Sequence, residues 1–200
     1  MVGQWRTVLE LVYDLGVAEQ DLIRNYGLFW RVDSVFWGRG SNAGALLGRP
    51  VTARTSDPID FRKQIAIYAL FAGYSLIYVG QTGSGDTRLF DRLKQHKNGP
   101  LSGRWDRFSW FGIRKVNKDG ALGSENLAAH ASIETVLDHI EAVLIATSEP
   151  PLNRRGGDFG SDVAQYVQHR DRRLGLTDSQ MLRRLSNHAG LTNLDGADDD

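Results

Sequence analysis

The sequence predicts an α+β fold: a small, mainly antiparallel three-stranded sheet flanked by helices, with helical additions at the N- and C-terminal ends. Three observations point to it. QIAIYALF and LIYVG, residues 64–71 and 76–80, are β-rich runs on either side of Gly73, a hairpin signal. RWDRFSWFGIRKV, residues 104–116, reads as a third strand with its approach. Apolar residues recur at helical spacing over about 87–97 and 132–147, after the hairpin and after the third strand.

Taken in order, the chain opens with two predicted helices, roughly 4–14 and 18–25, because Val8, Leu9, Val12 and Tyr13, then Leu22 and Ile23, recur at helical spacing. Such a pair is more often a brace against the main domain than a DNA-contacting helix-turn-helix. Residues 27–50, rich in Gly and aromatics with weak periodicity, read as an irregular connector holding one short strand. In the hairpin a two-residue turn at Ala72–Gly73 would put Tyr68 and Tyr78 on opposite faces, whereas a loop of three or five residues puts Tyr68 directly across from Tyr78. The odd-length loop is expected, since both hydroxyls can then serve one site.

The helix over 87–97 buries Leu89 and Leu93 and carries Arg88, Arg92 and His96 in one line, at i, i+4 and i+8. Ser132 is the expected N-cap of the next helix, with Ile133, Val136, Leu137, Ile140 and Leu144 as its apolar stripe and Pro150–Pro151 as its stop. Glu141 falls between Leu137 and Leu144, on the edge of the face expected to be buried. A carboxylate there requires a cation or several donors, so metal ligation and an ion pair are both open. Past Gly157 one or two helices are expected, the second opened by the capping-box pattern Thr177-Asp178-Ser179-Gln180, before an acidic tail read as disordered. The chain divides on this reading into 1–60, 61–157 and 158–200: an N-terminal extension and connector, a core, and C-terminal helices with the tail.

Composition bounds the function. Two hundred residues with 41% hydrophobic and 24% charged residues suit one globular domain with elaborations. No apolar run approaches the roughly 18 residues of a membrane span, and the N-terminus lacks the uninterrupted apolar core of a signal peptide, so a cytoplasmic protein without a membrane partner is expected. The absence of cysteine excludes disulfides and thiolate metal sites. Net charge is zero, but residues 61–115 hold 10 basic and 3 acidic residues, a surplus of seven, which makes that stretch a candidate phosphate-facing surface.

Singly, strand tyrosines and an Arg–His pair have ordinary structural readings, as packing residues and a solvated helix face. Together the residues resemble the GIY-YIG nucleases. Ala66-Ile67-Tyr68 stands where that family has its first signature, with alanine in place of glycine, and Tyr78-Val79-Gly80 matches the second. LFDRLKQH, residues 89–96, resembles the helix that follows, which puts the family's arginine on Arg92 and its histidine on His96. Its acidic metal ligand falls on Glu141, and its asparagine on Asn153 in PPLNRRGG. The resemblance covers about residues 64–157 and implies a metal-dependent endonuclease cutting DNA, in restriction or other genome defence.

The implied roles suit phosphodiester hydrolysis, which needs positive charge at the phosphate, an activated water and help for the leaving oxygen. Arg92 would clamp nonbridging oxygens with two prongs. Glu141 would hold one Mg²⁺ (or Mn²⁺), the rest of its shell being water and phosphate. Tyr68 would deprotonate the attacking water, either with its pKa depressed by cations or by passing its proton to His96; Tyr78 would orient water or phosphate. Asn153 would support the end of the helix that carries Glu141; Arg88 and Lys94 are the expected substrate-binding residues, a solvated role for Arg88 being equally open. A single constellation per chain implies two protomers, a homodimer on duplex DNA, for a double-strand break. The rival readings are a non-cutting nucleic-acid-binding module or assembly subunit, and an RNA nuclease.

Overall fold

The structure is a computed structural model that describes residues 22–82, 86–123, 133–148, 157–160, 162–175 and 178–188. Its centre is a seven-stranded mixed sheet, not the small three-stranded antiparallel sheet that the sequence predicts. The strands are β1 (Asn25–Arg31), β2 (Leu47–Pro50), β3 (Ile59–Asp60), β4 (Ala66–Ala72), β5 (Ser75–Gln81), β6 (Arg107–Gly112) and β7 (Ala164–Gln168). They lie in the order β3-β2-β7-β1-β6-β4-β5. Every pairing is antiparallel except that of β1 with β7. Among the described residues there are three α-helices: α1 (Leu89–Asn98), α2 (Ile133–Ser148) and α3 (Asp178–His188). None is long and apolar enough to cross a membrane.

The four additional strands come from segments expected to be a helix end, a connector and C-terminal helices. Residue 25, the expected end of the second N-terminal helix, is instead the start of β1; the rest of that helix up to residue 21, and all of the first, lie outside the described residues. Strand β1 alternates only as far as Leu28, because its pairing with β6 shifts register between Gly27 and Trp30, and Phe29 takes a φ of 51°. Gly27 is needed there: a Cβ would stand 2.5 Å from Nε1 of the Trp30 indole. Strand β7 buries only Tyr166, which leaves little apolar signal, and α3 follows it. Thr177 and Ser132, the expected caps, lie outside the described residues.

The hairpin also differs in register. Its turn has two residues, Gly73 and Tyr74, with Ala72 opposite Ser75. A bulge in β5 then leaves Ile77 unpaired, so that Leu70 faces Tyr78 and Tyr68 faces Gly80. The extra residue restores the parity that a two-residue turn would break, and the two tyrosines share a face as diagonal rather than direct neighbours.

Alternation sorts the core into two layers. Tyr68, Leu70, Phe108, Trp110 and Trp30 pack on one face beneath Leu89, Phe90 and Leu93 of α1. Trp30 is the hub, edge-on to Phe61, Phe108 and Trp110 at ring centroid distances of 6.1, 6.1 and 5.3 Å. Phe111, the next residue after Trp110, points to the opposite face and meets Ile23, Phe159 and, on α2, Ala142 and Ala146. Helices α1 and α2 therefore lie on opposite sides of the sheet.

Candidate active site

Strand β4 fixes Tyr68 in its middle, fully buried, with its ring lying over Gly80 of β5. A Cβ at position 80 would stand 2.6 Å from Tyr68 Cζ, so the glycine of Tyr78-Val79-Gly80 is what gives the ring its bed. Ala66 is accommodated without strain: its methyl is buried and it pairs with Gly112 on β6. Above this face α1, anchored by Leu89, Phe90 and Leu93, presents Arg92 and His96 one turn apart.

The four side chains form one cluster. Tyr68 Oη and His96 Nε2 share a hydrogen bond at 2.8 Å. The Tyr78 ring lies 4.6 Å from the imidazole and 6.2 Å from the Tyr68 ring, stacked on the latter. Arg92 reaches the Tyr68 hydroxyl and also donates from Nη1 to Gln95 Oε1 at 3.0 Å.

Burial and Arg92 set the protonation states. Burial raises the Tyr68 pKa above its ordinary value near 10, and the Arg92 hydrogen bond and charge, which pull the other way, do not overcome it. His96 is pushed below its ordinary value near 6.5, first by burial and then by the Arg92 charge. At neutral pH Tyr68 is thus a phenol and His96 a neutral imidazole; in the tautomer with the ring hydrogen on Nδ1, Nε2 accepts the phenol proton. Of the two expected routes by which Tyr68 would act as a base, the direction of its shift speaks for proton passage to His96 over a depressed pKa.

Glu141 does not join this cluster. Its helix meets the sheet through His139, Ala142 and Ala146, while Leu137 and Leu144 are 60% and 59% exposed, so the expected apolar stripe faces outward. The small residues win because they let α2 approach closely: a Cβ at Gly157 would stand 2.7 Å from Ala142 Cα. Glu141 is exposed on a helix across the sheet from α1, and the burial argument for its needing a cation falls away. Sequence reasoning missed His139, which is buried, accepts from the Ile23 N–H at 3.1 Å and lies 3.2 Å through Nε2 from the Phe159 carbonyl. Its signal was the i, i+3, i+7 run with Ala142 and Ala146.

Of the other expected residues, Arg88 heads α1, its backbone N–H donating to Asp91 Oδ2 at 3.2 Å. Lys94 is exposed, with Nζ 6.0 Å from the centre of the Phe90 ring. Asn153 lies outside the described residues. Among the described residues no three His, Asp or Glu side chains converge as a metal-binding group. A single Mg²⁺ held by Glu141 beside Tyr68 does not fit this arrangement. No family model matches the chain, and neither does any curated protein or solved structure.

Proposed function

We propose that this chain is a nuclease that hydrolyses DNA phosphodiester bonds with the Tyr68–Tyr78–Arg92–His96 cluster. The carrying observation is the 2.8 Å hydrogen bond between a buried tyrosine and a neutral histidine with an arginine alongside. Arg92 offers a planar pair of donors to the nonbridging oxygens. A water admitted with the substrate to Tyr68, which is closed to solvent in the free protein, gives its proton to Tyr68 Oη as the phenol proton passes to His96 Nε2. The water oxygen bonds to phosphorus, the opposite P–O bond breaks, and the leaving oxygen takes a proton from solvent. In the free protein the Arg92 charge opposes protonation of His96; a phosphate bound to Arg92 offsets that charge and makes His96 a better acceptor when substrate is present. A double-strand break would need two copies, since one chain carries one such cluster.

The position of Glu141 favours a second reading, a nucleic-acid-binding module that does not cut. Purified protein incubated with supercoiled plasmid, linear duplex, single-stranded DNA and RNA, in Mg²⁺, Mn²⁺ or EDTA, separates the two. Cleavage abolished by His96→Gln and by Arg92→Lys supports the nuclease; binding without cleavage of any substrate eliminates it. Glu141→Gln is informative in the same assay. The resemblance to GIY-YIG nucleases expects it to be inactive, whereas its place across the sheet from α1 expects full activity.

A further inference from the structure

At the end of the sheet where β4 begins and β6 ends, two buried amides hold one arginine in place. Gln64 donates from Nε2 to the Arg114 carbonyl at 3.1 Å and accepts the Arg114 N–H on Oε1 at 2.9 Å. Asn25 donates to the same carbonyl at 2.8 Å and accepts from Gln64 Nε2 at 2.8 Å. Both amides are buried, and Gly112 makes room for them, since a Cβ there would stand 2.5 Å from Gln64 Cδ. This network fixes the backbone of residue 114, and two further bonds fix its side chain. Nε donates to the Gly123 carbonyl and Nη1 to the Lys63 carbonyl, each at 2.8 Å.

All of these partners are neutral. Among the described residues no carboxylate pairs with Arg114 or with Lys63. Asp60 is engaged elsewhere: it pairs with Arg62 at 2.6 Å and accepts the Leu46 N–H at 3.2 Å. Arg62, Lys63, Arg114 and Asp60 line a pocket of about 350 Å³, with Ala121 and Leu122 among its other walls. Asp119, beside Lys118 in the neighbouring turn, accepts the Ala121 N–H at 3.0 Å and is not part of the lining. Three cations against one carboxylate leave a surplus of two positive charges on the walls. The volume falls at the lower end of the range for small-molecule sites.

We propose that this pocket binds a phosphate monoester, with Arg114 and Lys63 as its principal contacts. A guanidinium fixed in advance by neutral carbonyls still has Nη2 and one Nη1 hydrogen to offer, and it loses little freedom on meeting an anion. A monoester carries nearly two negative charges at pH 7, which matches the surplus, whereas a backbone diester carries one. Ala121 and Leu122 give the group that bears the phosphate an apolar wall. Two sources share this chemistry, a free nucleotide and the phosphorylated end of a nucleic-acid strand. Leu89 and Phe90, which open α1, donate their N–H groups to the Gln64 and Arg62 carbonyls at 2.9 and 3.3 Å, so the pocket adjoins the start of the helix that carries Arg92 and His96. Gln64 stands four residues before Tyr68, about 13 Å along an extended chain, so the pocket is separate from the Tyr68 cluster and its occupancy does not depend on cutting there.

The test is isothermal titration calorimetry of the full chain with thymidine 5′-phosphate and with thymidine, alongside fluorescence anisotropy of a labelled single strand ending in a 5′-phosphate or a 5′-hydroxyl, all in EDTA. Thymidine 5′-phosphate should bind one per chain, and thymidine should not bind. Lys63→Gln, at an exposed side chain, should weaken binding about 10-fold, the worth of one charge-assisted contact. Arg114→Lys should weaken it at least as much, because the ammonium keeps the charge and loses the fork. Circular dichroism checks both variants; if Arg114→Lys fails to fold, Lys63→Gln alone decides. A phosphorylated strand held more tightly than its hydroxyl twin, with the difference lost in Lys63→Gln, assigns the pocket to strand ends. Equal binding of the two strands, with the nucleotide still bound, assigns it to free nucleotides. Failure of both the nucleotide and the phosphorylated strand to bind overturns the proposal, as does binding that Lys63→Gln leaves unchanged. Binding lost in Arg92→Lys but kept in Lys63→Gln places the phosphate at the Tyr68 cluster and overturns it as well.

Discussion

A phenol with a pKa above 10 is a poor base, so the working group at position 68 is the pair it makes with His96. His96 must be neutral to accept the proton, and its pKa is held below the ordinary value near 6.5. The pH profile of kcat/KM, which reports groups of the free protein, should therefore stay level from pH 8 down past 6.5 and fall only at lower pH. A profile breaking above pH 7 would show that His96 is not the acceptor. His96→Gln and Tyr68→Phe should each lower the rate about 10²–10⁴-fold, the usual worth of a general base. The same shift bears on stability. With the folded pKa depressed, the unfolded chain takes up protons first as pH drops through 6.5, so stability is present above that value and lost below it; His169, also lowered, adds to the effect. Asp33 and Asp171, lowered mainly by their arginine hydrogen bonds, stabilise above the ordinary carboxylate range and lose that below about pH 4. Thermal unfolding midpoints should fall in these two windows, and His96→Gln should flatten the upper one.

At the scale of elements, α2 decides how the site is read, because its rotation places Glu141. Ala142→Leu should destabilise by about 1–3 kcal/mol through overpacking against Phe111 and Phe159, while Leu144→Gln should change stability by no more than about 0.5 kcal/mol. The reverse ranking in urea unfolding would show that the leucine stripe faces the core and would return Glu141 to the edge of a buried face. The helix itself was legible in the sequence; its rotation was not, since hydrophobic spacing ranks Leu137, Ile140 and Leu144 above two alanines and cannot register how closely a backbone approaches. The hairpin teaches the same lesson: its two strands and Gly73 are plain in the sequence, yet the bulge at Ile77 that puts Tyr78 beside Tyr68 leaves no compositional mark. What could be read from the residues was the line of Arg92 and His96 along one helix; their meeting with Tyr68 was expected only from the resemblance to the GIY-YIG nucleases.

At the scale of the whole molecule the sheet was the least legible feature, because strands β1, β2 and β7 are made by partners distant in sequence. Strand β7 is the clearest case: AQYVQ has one buried residue, and its identity as a strand comes from lying between β1 and β2. Its removal would leave the facing ladders of β1 and β2 without partners, strip Tyr166 from the Phe61 ring 4.7 Å away and leave Trp30 Nε1–H without the Tyr166 carbonyl it donates to at 3.2 Å. Losing β1 is worse, since it carries Trp30 and covers the whole flank of β6. We therefore predict that residues 61–157 expressed alone do not fold cooperatively, whereas residues 22–175, which retain all seven strands, do. Circular dichroism melts and size-exclusion chromatography of the two fragments measure this. A sharp, reversible transition and compact elution for 61–157 would mean that strands β4, β5 and β6 with α1 and α2 are self-sufficient, and that β1, β2, β3 and β7 are an addition to an independent core.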